Sequence, residues 1–149
     1  MVKIAIPTNE IGGLNDTINF RFGRCSTFTI ITLENNEIKS VEVVKNNAAD
    51  SMGGAGIQSA QILANNGAQE VIVGNLGPNA VQSLNALNLK LYQAPNPSLK
   101  IKDLIDMRVR GELKPIENAN VSSHFGMGGR QGGGFGGGGG FGRGRRTVQ

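Results

Sequence analysis

Residues 53–78 read GGAGIQSAQILANNGAQEVIVGNLGP, and this stretch decides the fold. A glycine-rich turn opens an amphipathic run expected to be helical from about Gly54 to Asn66, and Gly67 suits a left-handed helix stop. Glu70 to Val73 then reads as a short buried strand. A second glycine-rich turn, Gly74-Asn75-Leu76-Gly77, leads into Pro78, which fits the first turn of another helix because its missing N–H costs nothing there. Two strand-to-helix turns in succession are the grammar of an α/β sheet. Each helix start also leaves backbone N–H groups unpaired and carries partial positive charge, which favours an anion. Gly53, Gly54, Ala55 and Gly56, with Asn75 and Gly77, are therefore candidate binding positions. They suggest a ligand and not, by themselves, a reaction.

On the N-terminal side, Val2 to Ile6 reads as an apolar strand stopped by Pro7, followed by an irregular segment from Thr8 to about Cys25. Thr27 to Leu33 is rich in β-branched and aromatic residues and reads as a strand. Asn35-Asn36 suits a two-residue hairpin turn, with Ile38 to Val44 as the returning strand. On the C-terminal side, Leu89 to Tyr92 is a strand, and a helix is expected from about Ser98 to Arg110, stopped by Gly111. The result is a five-stranded mixed sheet of order 3-2-1-4-5. Chain direction switches between strands 1 and 4, and ligands of open α/β sheets favour the strand ends at such a point. This topology gathers Arg21, Phe22, Gly23, Arg24 and Cys25 beside both helix starts.

Composition sets the limits. The 149 residues suffice for one domain, expected over residues 1–121. Residues 122–149 are rich in glycine, arginine and phenylalanine with almost no aliphatic side chains, and are expected to form a disordered tail. Of fifteen Lys and Arg, four (Arg130, Arg143, Arg145 and Arg146) lie in that tail; the remaining eleven balance the eleven Asp and Glu of residues 1–121. The formal charge of +4 thus belongs to the tail and not to the fold. Cys25 is the single cysteine, so neither an internal disulfide nor a Cys₄ metal site can form within one chain. No run approaches the roughly 20 apolar residues of a membrane span, and the protein is expected to be cytoplasmic.

MVKIAIPT at the start, RFGRCSTFTI, the stretch from Gly53 to Ala80 and the closing helix ending in GEL agree in order and spacing with a known family. Over nearly all of residues 1–114 the chain resembles the dinitrogenase iron–molybdenum cofactor biosynthesis family, which includes the NifX and NafY types and the C-terminal domain of NifB-like proteins. The resemblance implies a ribonuclease-H-like α/β fold with helices on both faces of the sheet. It also implies an accessory protein, not an enzyme, that binds or carries an iron–molybdenum or other iron–sulfur-type cluster or its precursor. Other cofactor-assembly proteins would be its partners. Many members have His before Phe-Gly where this chain has Arg21-Phe22-Gly23, so a cluster-serving histidine is here either lost or changed to charge pairing by Arg.

Each candidate has a plainer reading. Arg21 and Arg24 suit a small oxyanion or polyanionic cluster through charge-assisted hydrogen bonds, or pair with Glu10 or Asp16 in a solvated loop. Cys25 is either a thiolate metal ligand, its pKa lowered by Arg24 and the helix starts, or a small residue opening a strand. The glycine turns also suit tight helix–sheet packing. His124 is the only histidine, so a Ser-His-Asp triad has no partner within the fold, and the motif loops offer only Glu10, Asp16 and Asp50 for two-metal chemistry. The leading reading is a binding or carrier protein for an anionic metal–sulfur cofactor. The alternative is an interaction module whose Arg/Gly-rich tail binds nucleic acid or an acidic protein.

Overall fold

The computed structural model describes residues 1–117 except Ser51 and Gly53. The expected domain end at residue 121, the tail with His124, and Gly53 of the first turn lie outside the described residues. The elements run β1 (Val2–Thr8), β2 (Thr27–Glu34), β3 (Glu37–Lys45), α1 (Ala55–Asn65), β4 (Glu70–Val73), α2 (Pro78–Ala86), β5 (Lys90–Gln93), α3 (Ile101–Val109) and β6 (Lys114–Pro115). They form one mixed sheet of order β3-β2-β1-β4-β5-β6. The five expected strands take the expected order. The sixth corrects the strand count: Lys114–Pro115 pairs antiparallel with Tyr92–Gln93, a two-residue pairing too short for any sequence periodicity to signal.

The hairpin follows its turn chemistry. Asn35 and Asn36 both adopt positive φ, 56° and 64°, as a two-residue hairpin turn twisted to match its strands requires. Glu34 then faces Glu37 across the turn, and a bulge opposite Thr32–Leu33 resets the register further along. Pro7 does not stop β1. The strand pairs with β2 as far as Thr8, while its pairing with β4 covers only Ile4 and Ala5, so Pro7 lies where no ladder bond from its nitrogen is needed on the β4 side.

Helices cover both faces. Ala60 and Leu63 of α1 and Ala80, Val81 and Leu84 of α2 pack with Ala5, Phe28, Ile30, Val71 and Val73 on one side. Ile101, Leu104 and Ile105 of α3 pack with Ile4, Ile6, Ile31 and Ile72 on the other. Helix α3 starts three residues later than expected, because Lys100 is still extended and bridges Thr17, and the Ser98 N–H is bound by the Asn96 side chain. At the sheet end opposite the glycine turns, Arg108 of α3 grips Glu70 of β4 with two hydrogen bonds of 2.7 Å and lies over the Tyr92 ring. No helix among the described residues is long and apolar enough to cross a membrane.

Candidate functional site

The strand registers place Thr8, Thr27 and Lys45 side by side, and the parallel pairing of β4 with β1 points Val73 toward the same end. The loop 9–26, residues 46–50 that follow β3, and the turn 74–77 therefore all meet there. The loop is stitched down in steps. Asn75 donates its N–H to the Phe20 carbonyl at 2.9 Å, and Arg21 bridges Asn75 in parallel fashion. Next, Arg21-Phe22-Gly23-Arg24 forms a β-turn closed by the Arg24 N–H on the Arg21 carbonyl at 3.0 Å. Its third residue, Gly23, has φ +98°, the positive value a type II turn needs. The turn holds the two arginines at its ends, and both side chains are exposed.

Close packing then joins the turn to both helix starts. A Cβ on Gly23 would stand 3.0 Å from the Gly56 nitrogen, and one on Gly56 would stand 3.3 Å from the Cβ of Ala80 in α2. Turn, α1 start and α2 start are thus in mutual contact, as the topology led one to expect. Neither helix start has a side-chain cap, and neither first turn contains an acidic residue. Both retain the positive end of the helix dipole.

The charges differ in their ties. Arg24 donates from Nη1 to the Ala49 carbonyl at 2.9 Å, across to the linker that leads into α1. Among the described residues, the Arg21 guanidinium has no hydrogen-bond or ion-pair partner, since Asp16 spends its carboxylate on the backbone N–H groups of Glu10, Gly12 and Thr17. The pairing of Arg21 with Glu10 or Asp16 that its plain reading supposes does not form.

One expectation is corrected. Cys25 is fully buried among apolar side chains, and burial pushes its thiol up to about 12 instead of lowering it. It points into the core, away from the arginines' exposed side, and packs as a small apolar residue. Phe22 is half-buried and packs against the same core, its ring 5.8 Å from that of Phe28. Three glycines serve close packing: Gly23 and Gly56 admit neighbouring backbone and side chain, and the space of a Gly74 Cβ is filled by the Phe20 ring. Gly54 differs. It is exposed with φ +72°, and nothing among the described residues lies within 4 Å of where its Cβ would be.

Two residues that the sequence did not announce complete the site. Asn46, just beyond β3, is buried and donates to the carbonyls of Gly23 at 3.1 Å and Cys25 at 2.9 Å. Gln93 closes β5 and donates to the Gly74 carbonyl at 3.1 Å, fixing the second turn from behind. A polar residue at the exit of a strand is the only sequence trace either left. Among the described residues no three His, Cys, Asp or Glu side chains come together as a bare metal ion would need. The donor set is guanidinium and helix-start N–H, which matches an anion.

The family profile described as "Dinitrogenase iron-molybdenum cofactor" matches residues 1–111. An uncharacterized protein of Methanocaldococcus jannaschii is 36% identical over 117 residues, covering 78% of this chain and 93% of that protein. Among solved structures, the orange protein of Desulfovibrio gigas in its apo form superposes with a TM-score of 0.74 at 31% identity, covering 81% of this chain and 98% of its own. A Thermotoga protein described as a candidate NifB protein superposes with a TM-score of 0.67 at 30% identity, again over 81% and 98%.

Proposed function

The chain belongs to the dinitrogenase iron–molybdenum cofactor family, and from that premise we propose that it is an accessory protein that binds an anionic metal–sulfur cluster or its precursor as cargo. The site is the junction of the Arg21–Arg24 turn with the starts of α1 and α2. The observation that carries this reading is Arg21: an exposed guanidinium without a partner among the described residues, fastened through its backbone to Asn75 beside two uncapped helix starts. Arg24 adds a second charge, and Gly54 offers open backbone. The ribonuclease-H-like assignment belongs to the same reading and is supported by the order β3-β2-β1-β4-β5.

Such cargo would be held by charge-assisted hydrogen bonds to its outer sulfur or oxygen atoms. Neither Cys25 nor a carboxylate group takes part in holding it. Loading and release then need no thiolate exchange, which suits a carrier that hands its cargo to another cofactor-assembly protein. Anaerobic calorimetry with molybdate and with tetrathiomolybdate, the smallest molybdenum–sulfur anion, tests the proposal. Saturable binding by the full chain, retained when residues 122–149 are removed, supports it. Absence of binding to either anion, or binding lost with the tail, contradicts it.

A further inference from the structure

We propose that Asn46 is the positioning residue of this site: its buried carboxamide fixes residues 23–25 against α1 and so sets where Arg21 and Arg24 stand. Three segments that meet at the site share this one side chain. Nδ2 donates to the carbonyls of Gly23 at 3.1 Å and Cys25 at 2.9 Å, with the Cys25 Sγ at 3.7 Å. Oδ1 accepts the Ala48 N–H of the linker at 3.1 Å and the Ser59 hydroxyl of α1 at 3.3 Å. The Asn46 N–H adds a bond to the Ser26 carbonyl at 3.0 Å. The residue is only 4% exposed, and Ser59 is fully buried.

The arrangement is specific to an amide. One end faces two carbonyls and must donate; the other faces an N–H and a hydroxyl and must accept. Aspartate has no donor for the Gly23 and Cys25 carbonyls, and alanine satisfies neither end. Buried carbonyls left without a donor lower the cost of opening the loop toward water. Because the Arg24 N–H closes the turn on Arg21, displacement of Gly23 carries both arginines with it. It also uncovers the Cys25 thiol, which the same carboxamide overlies. That link provides a readout independent of any cargo.

The role in cargo binding rests on the function proposed above; the role in holding the loop does not. The test uses the full chain with Asn46→Asp, Asn46→Ala and the milder Asn46→Ser, which keeps one hydroxyl and guards against a variant that fails to fold. Native-state alkylation of Cys25 should accelerate in the order wild type, Ser, Ala, by at least about tenfold for Ala, and tetrathiomolybdate affinity should fall by a similar factor. Ile105→Val, which loosens the core on the opposite face, is the control for destabilisation alone and should change neither. A thiol that stays as slow in the folded Ala or Ser variants as in wild type overturns the positioning role. A thiol that opens while anion affinity stays at the wild-type value overturns the link to the arginines. If wild type binds no anion, the proposed function fails and the alkylation series alone still decides whether Asn46 holds the loop.

Discussion

The backbone nitrogen of Gly56 lies 3.0 Å from the point where a Cβ on Gly23 would stand, so the arginine turn and the first helix are packed to within the width of a methyl group. The contact is with backbone, which cannot swing aside as a side-chain tip can. Gly23→Ala therefore meets both a clash and the strain of φ +98°. The expected loss is at least about 1–3 kcal/mol. Urea unfolding should show a lower midpoint with an unchanged slope. Anion binding should weaken in the folded fraction as well, because relief of the clash lifts the turn from α1.

Arg21→His should make anion affinity depend on pH. The imidazolium present below about 6.5 would bind the anion, and affinity would fall as pH rises through that value. Calorimetry from pH 5.5 to 8 checks this, and a variant profile parallel to that of wild type would remove Arg21 from the contact.

Burial of Cys25 has a consequence for alkaline stability. The thiol is raised from 9.0 to about 12, so between those values the unfolded chain has lost a proton that the folded chain keeps. Stability should then decline with rising pH, by about 1.4 kcal/mol per unit for this one group, with no slope from it below pH 9. Cys25→Ala should flatten that part of the curve, read as the wild-type minus variant difference in unfolding free energy. Identical alkaline slopes would show that the thiol is not shielded.

The Glu70–Arg108 pair ties α3 to the sheet far from the arginines. Its side chains are 11% and 24% exposed, so it ranks between a surface pair and a buried one. Arg108→Ala should cost about 1–3 kcal/mol, part of it from the Tyr92 ring face it uncovers. Anion affinity should stay at the wild-type value, which separates stability from binding.

How far the sequence spoke depended on how local the cause was. Asn35-Asn36, Gly67, Pro78 and Gly111 act through their own φ or missing N–H, and each marks a boundary the structure keeps. Strand order followed from hairpin and crossover rules, and with it the gathering of Arg21, Arg24 and two helix starts. Non-local causes were out of reach. Strand β6 exists only because two residues meet β5 after α3 has turned the chain back. Gly74 reads only as part of a glycine-rich turn, yet the room its missing Cβ leaves belongs to Phe20, which is 54 positions earlier by the numbering. Cys25 next to Arg24 suggests a lowered pKa, but Arg24 ends the turn with its side chain exposed while Cys25, the next residue, is buried in the core. Asn46 shows in the sequence only as a polar residue at the exit of a strand, because its partners Gly23, Cys25 and Ser59 come together only in the folded chain.

The central claim is that the cations of this turn hold an anionic cargo. It is tested most directly by anaerobic calorimetry of tetrathiomolybdate binding to wild type and to Arg21→Ala/Arg24→Ala, with unfolding curves for both. Loss of charge-assisted hydrogen bonds worth about 1.5–3 kcal/mol each predicts at least a tenfold weaker affinity in the double variant at near-unchanged stability. Equal affinity in two equally stable proteins would contradict the account and move the site away from the turn.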